Sequence, residues 1–203
     1  NVFTTGFARR FTEYKRPLLL LSDLKRLRRL AKDNGGLQII FSGKSHPSDS
    51  YGQELIARLH RIIESNDGFL RIVYLPGYDI DLARLLVSGS DLWLNNPEPP
   101  LEASGTSGMK AAFNGVPQLS TADGWWPEGR LEGKTGWTIR EYKGGNNLLD
   151  NLENNILPLY KNDLLGWRQV MISTIVGNAA RFGSDRMLRE YITKAYKIKK
   201  PAW

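Results

Sequence analysis

Nine consecutive residues, Glu102-Ala103-Ser104-Gly105-Thr106-Ser107-Gly108-Met109-Lys110, set a carboxylate and a lysine on either side of a small-residue turn where a helix is expected to begin. A helix's first turn is positive, because its backbone N–H groups are free and its dipole points that way. An anion is stabilised there and an ammonium is not. The spacing therefore suits a phosphate held by the amides around Thr106, Ser107 and Gly108, together with an amine whose pKa is lowered towards nucleophilicity. A phosphate beside a reactive lysine is the chemistry of pyridoxal phosphate.

The elements that must position these groups read as an α/β fold. Short apolar strands alternate with amphipathic helices, the pattern of a parallel sheet covered on both faces. Val2 to Phe7 is the first predicted strand. Pro17 then starts a helix carrying Leu20, Leu21, Leu24, Leu27 and Leu30, with its stop at Asn34-Gly35-Gly36. Leu37 to Ser42 is a strand and Tyr51 to Ser65 a helix with Leu55, Ile56, Leu59, Ile62 and Ile63 inward. Leu70 to Leu75 follows as a strand, and Asp79 or Asp81 caps a helix bearing Leu82, Leu85 and Leu86. Asp91 to Asn95 ends in a loop with Pro97, Pro99 and Pro100, which forbids its continuation. The helix of the nine-residue string closes at Asn114-Gly115. Gln118 to Thr121 and Thr135 to Arg140 are further strands. From Asn147 the chain is helical: one helix runs to about Leu157 and is interrupted by Pro158, another lies around Trp167 to Ala180, and the last is capped by Ser184 or Asp185. In such a sheet, ligands bind at the carboxyl ends of the strands.

With 203 residues, 41% hydrophobic and 24% charged, the chain can bury one sizeable core. No apolar run approaches the roughly 18 residues of a membrane span, and residues 1–5 lack the features of a signal peptide, so a cytoplasmic protein without membrane partners is expected. The absence of cysteine removes disulfides and thiolate metal sites, and His46 and His60 alone offer imidazole, so no metal is expected. Net charge is +7. Lys25, Arg26, Arg28, Arg29 and Lys32 fall on the polar side of a leucine-striped helix, where a solvated face accounts for them. A third group sits at the tail in Lys194, Lys197, Lys199 and Lys200. Arg9, Arg10, Lys15 and Arg16 have no such account and mark the loop after the first strand as an anion site.

The run from Gly6 through Arg16, Gly43-Lys44, Tyr74-Leu75-Pro76-Gly77-Tyr78 and the stretch from Glu102 through Lys110 to Asp123-Gly124 resemble the α-glucan phosphorylases, down to the closing Ser184-Asp185-Arg186-Met187. The resemblance implies a pyridoxal 5'-phosphate-dependent transferase that cleaves α-1,4-glucans or maltodextrins with inorganic phosphate to give glucose 1-phosphate. It implies that Lys110 carries the cofactor as a covalent aldimine, with Thr106, Ser107 and Gly108 meeting its phosphate. Arg10 and Lys15 would grip the substrate phosphate, and Arg9 stands where many members have a lysine directed at the cofactor phosphate. Glu102, Ala103, Ser104 and Gly105 would line the glucosyl subsite, and Tyr78 resembles the tyrosine that packs beside the cofactor. Gly43 and Lys44 are candidates for the cofactor's neighbourhood. Trp125 and Trp126 read either as a sugar platform or as packing, and the two histidines read as structural or surface residues. The cofactor's own phosphate would act as acid and base, since a second pKa near ~6 holds or releases a proton close to neutrality.

Larger glycogen-type members have Gly-Asn in place of Ser107-Gly108, a departure that bears on the geometry of the phosphate cradle, and histidine in place of Thr12, a departure that points to the shorter prokaryotic or archaeal branch of the family. The implied architecture is a Rossmann-like domain over residues 1–203, with a helical extension from about 177. It would be the C-terminal lobe of a two-lobed GT-B-type enzyme whose N-terminal lobe is its partner. The chain opens directly on a strand without a methionine, and is expected to be inactive alone. Two other readings share parts of the pattern. A nucleotide-sugar glycosyltransferase of the same architecture has no need of Lys110. A non-catalytic phosphate- or nucleic-acid-binding module would use the basic loop alone; no interleaved basic and aromatic surface supports it, and no nucleic-acid partner is expected. Glucan length, allosteric control and homo-oligomerisation stay open.

Overall fold

The computed structural model describes residues 2–65, 68–142 and 145–198. Asn1, Lys199 and Lys200 lie outside them. In chain order the chief elements are β1 (Phe3–Ala8), α1 (Leu24–Asp33), β2 (Leu37–Ser42), α2 (Ser50–Ile63), β3 (Leu70–Leu75), α3 (Ile80–Gly89), β4 (Leu92–Asn95), α4 (Thr106–Phe113), β5 (Gln118–Thr121), α5 (Trp126–Gly129) and β6 (Gly136–Ile139). A small antiparallel pair, β7 (Glu141–Tyr142) and β8 (Gly145–Asn146), leads to α6 (Leu148–Asn151), α7 (Leu157–Asn162), α8 (Leu164–Phe182) and α9 (Ser184–Glu190).

The six longer strands form one parallel sheet in the order β3-β2-β1-β4-β5-β6. This is the Rossmann order, and its direction of winding reverses between β1 and β4, where the strand ends leave a crevice for ligand. Alternation along β1 feeds both layers of the core. Phe3 and Phe7 join Leu20, Leu27, Phe41 and Leu59 on one face, while Ala8 meets Leu86, Trp93 and Ala111 on the other.

Four local expectations need correction. The chain after Pro17 does not form one helix: short 3₁₀ turns at Glu13–Lys15 and Leu19–Leu21 precede α1, which starts only where Asp23 accepts a hydrogen bond from the Arg26 amide at 2.9 Å. Leu85 points outward and is exposed, and α3 is capped by Asp79 through the Leu82 amide. Pro158 does not interrupt its helix. A π turn at Leu152–Ile156 joins α6 to α7, and the donor that proline lacks falls just past that widened turn. The last helix begins behind Gly183, whose carbonyl accepts from Met187, with no side-chain cap from Ser184 or Asp185.

Helix α8 is docked through Phe182, which meets Trp125 edge to face at 4.8 Å, and through the buried Thr174 and Asn178. No residue of α9 is buried. Among the described residues no helix is long and apolar enough to cross a membrane, and no cluster of three or more histidine, aspartate or glutamate side chains could hold a metal ion.

Candidate functional site

The reversal between β1 and β4 puts two sequence-distant loops side by side. Arg9 and Arg10 follow β1 directly, and Glu102 lies in the loop after β4. The buried Lys15 Nζ donates to Glu102 Oε2, and Arg9 Nη1 lies 3.5 Å from the same oxygen. The side chains of Arg9, Lys15 and Glu102 are only 6%, 9% and 8% exposed. Two buried cations thus share one carboxylate. Burial pulls the Arg9 guanidinium below its ordinary pKa, and Glu102 opposes that shift. Arg9 Nη1 has no hydrogen-bond partner among the described residues. A desolvated cation with an unused donor is a receptor for an anion.

These groups open into a cleft of about 380 Å³. One wall carries Arg9, Arg10 and Lys15; the other is the stretch from Glu102 through Ser107, with Lys110 beyond it. Tyr78 closes one side with Ala83 and Val87. Its phenol is raised above its ordinary pKa by burial, with Arg9 acting the other way. The lining holds four cations against one carboxylate. Of the residues to which the resemblance gives a cofactor or substrate role, Gly108 alone does not line the cleft: it is on the inner side of α4 against Gln118 and Trp125, and its amide donates to the Gly105 carbonyl.

Lys110 stands differently from the sequence expectation. Helix α4 begins at Thr106, so Lys110 is its fifth residue, in the last turn, beyond the positive first turn. Its side chain is exposed on the cleft wall. The surrounding turn is apolar only on its inner side, where Ala111 and Ala112 are buried; Phe113 is exposed. An apolar groove of about 430 Å³ between α3 and α4, lined by Ile80, Ala83, Val87 and Phe113, continues past Lys110.

Backbone locks fix the walls. Asp123 accepts from the Glu102 amide and from the Gly124 amide, both at 2.8 Å, and the Trp125 amide donates to the Ser104 carbonyl at 2.9 Å. Arg16 belongs to this scaffold rather than to the cleft. Its Nε and Nη2 donate to the carbonyls of Asn96 and Pro97, and Asn96 Nδ2 donates back to the Arg16 carbonyl at 2.8 Å. Behind β1, the Arg9 amide donates to Ser42 and the Tyr74 hydroxyl donates to the Gly43 carbonyl at 2.7 Å. Gly43 therefore supports the Arg9 loop, while Lys44 is exposed and does not line the cleft.

Trp125 and Trp126 are buried and serve packing. His60 packs edge to face on Tyr74, and His46 binds the Ser48 hydroxyl and amide in its own loop. Sequence reasoning missed Asp123's lock on Glu102, the Arg16 fork and the Tyr74–Gly43 support. All three join residues from different connections, and no local spacing announces them.

A family model described as carbohydrate phosphorylase matches residues 5–128. Three curated relatives each align over 97% of this chain. The glycogen phosphorylase of Aquifex aeolicus is 45% identical, the maltodextrin phosphorylase of Thermococcus litoralis 41%, and the glycogen phosphorylase of Mycobacterium tuberculosis 41%. The chain spans 30%, 25% and 25% of their respective lengths.

Proposed function

Because this chain belongs to the carbohydrate phosphorylase family, we propose that it is the cofactor-carrying C-terminal lobe of an α-glucan phosphorylase, a GT-B-type glycosyltransferase that passes a glucosyl unit from the end of an α-1,4-glucan to inorganic phosphate. The observation that carries this reading is the buried pair Arg9 and Lys15 sharing Glu102 at the winding reversal, with Lys110 on the opposite wall of the same cleft.

The residues fit pyridoxal 5'-phosphate. Arg9 offers an unused buried donor to an anion, the amine of Lys110 is accessible to an aldehyde, and Tyr78 and the apolar groove beside α3 suit a flat ring. When bound, the cofactor supplies a phosphate that exchanges a proton near neutrality. The chain's own residues do the rest. Arg10 and Lys15 bring inorganic phosphate close to that group and offset the repulsion between two anions. Glu102, held by Asp123, accepts from sugar hydroxyls, and the backbone of Ala103, Ser104 and Gly105 forms the wall against which the glucosyl ring rests. Arg9 presents a planar fork, which fits two phosphate oxygens at once where a lysine would fit one.

In this reading an N-terminal lobe closes the cleft from the open side, and the 203-residue chain alone takes up pyridoxal phosphate without turning over glucan. Incubation with pyridoxal 5'-phosphate, borohydride reduction and peptide mapping should place a pyridoxyl group on Lys110. Labelling spread over surface lysines with Lys110 untouched overturns the reading, and so does robust glucose 1-phosphate formation by the isolated chain for the dependence on a second lobe.

A further inference from the structure

Helix α4 is gripped from beneath by a side chain that never reaches the cleft. Gln118, the first residue of β5, is fully buried, and its Nε2 donates to the Gly108 carbonyl at 2.6 Å. Its Oε1 and the Trp125 indole Nε1 converge over the α-carbon of Gly108, where a Cβ would come within 2.5 Å of one and 2.9 Å of the other. No side chain larger than hydrogen fits there without displacing the Gln118 amide or the Trp125 indole. An eight-residue helix has little stability of its own, so its height and rotation are set by such contacts. The gripped carbonyl belongs to the residue after Ser107 and stands two before Lys110.

We propose that Gln118 is a positioning residue for the cofactor wall: its bond to the Gly108 carbonyl sets where α4 sits over the sheet, and through α4 it places the Thr106 and Ser107 amides and the Lys110 amine opposite Arg9 and Lys15. This rests on reading the cleft as a pyridoxal phosphate site. The role needs an amide donor at this length. A carboxylate at 118 would set oxygen against oxygen, and an apolar side chain of similar length would remove the bond while filling the space. The Arg9, Arg10 and Lys15 wall hangs from β1, which among the described residues Gln118 does not touch through any side-chain hydrogen bond, so it keeps its place when α4 shifts.

The test uses the 203-residue chain with two probes, pyridoxal 5'-phosphate followed by its absorption and by borohydride labelling, and inorganic phosphate followed by calorimetry. Gln118→Met and Gln118→Glu should each weaken pyridoxal phosphate binding about tenfold, in line with the loss of a buried hydrogen bond. Labelling of Lys110 should fall in step, while inorganic phosphate affinity stays within about twofold because the opposite wall is intact. Gly108→Ala, which crowds the Gln118 amide and the Trp125 indole with the glutamine retained, should show the same selective loss and serves should the Gln118 variants fail to fold. Variants that label Lys110 as the wild type does overturn the inference, as does a parallel fall in both affinities, which would mark a merely structural residue. A wild-type chain that binds phosphate but leaves Lys110 unlabelled overturns the cofactor reading and this inference with it.

Discussion

The α-carbon of Gly43 faces the carbonyl of Arg9 so closely that a Cβ there would lie 1.9 Å from that oxygen. Gly43 also has φ at +147°, where side chains are strained. Gly43→Ala must therefore move the Arg9 loop. We expect a destabilisation of about 1–3 kcal/mol from the strain, read as a lowered thermal midpoint, and a loss of inorganic phosphate binding measured by calorimetry. Unchanged phosphate affinity would detach the Arg9 loop from anion binding.

Glu102 is the one carboxylate between two buried cations, and breaking such a pair leaves charge uncompensated. Glu102→Gln is expected to cost on the order of 3 kcal/mol, seen in denaturant unfolding. Added inorganic phosphate should restore more stability to this variant than to the wild type, since the anion replaces the missing charge. Equal stabilisation of both proteins by phosphate would contradict this arrangement.

Lys110 is exposed, and among the described residues its side chain has no hydrogen bond or ion pair. Lys110→Ala should leave unfolding within about 0.5 kcal/mol of the wild type, while abolishing the borohydride-trapped adduct. A large stability loss would mean that this amine has a structural partner.

Glu153 binds Arg29 and Arg26 and so ties α1 to the turn after α6; these hydrogen bonds hold its carboxyl below the usual value. A depressed carboxyl stabilises the fold above its unfolded pKa, near 4.3, and that contribution is lost as pH falls through the lower folded value. Partial exposure limits the effect to roughly 1 kcal/mol. Glu153→Gln should flatten the acid limb of the stability curve below about pH 4.5 and lower stability at neutral pH. Acid unfolding identical to the wild type would remove Glu153 from the account.

Much of the frame was legible because it is local. The runs Leu37–Ser42, Leu70–Leu75 and Gln118–Thr121 are apolar segments bounded by turn residues, and each is a strand at the expected residues. The cleft wall from Glu102 to Ser107 was legible for a different reason: acid, small residues and lysine in that order have few other uses. Periodicity failed where chain geometry overrode it. Leu20 and Leu21 are buried as the stripe requires, yet in a 3₁₀ turn, because Arg16 is left-handed at φ 48° and Asp23 restarts the helix. Leu85 keeps its place in the pattern and still faces outward. The supports of the site were invisible for want of any spacing rule: Gln118 reaches back to Gly108, and Arg16 reaches across to Asn96 and Pro97, through contacts that exist only once the sheet is built.

The pairing of β1 with β4, Thr5 opposite Leu92, governs when the cleft can come into being. Lys15 and Glu102 are 87 residues apart along the chain, so the half of the sheet made of β1, β2 and β3 carries two cations and no acid between them until β4 pairs with β1. Contacts of such long range form late, after the loop-closure entropy has been met. Assembly of the cleft therefore requires both halves of the sheet to have joined, and any ligand affinity it shows reports on that joining.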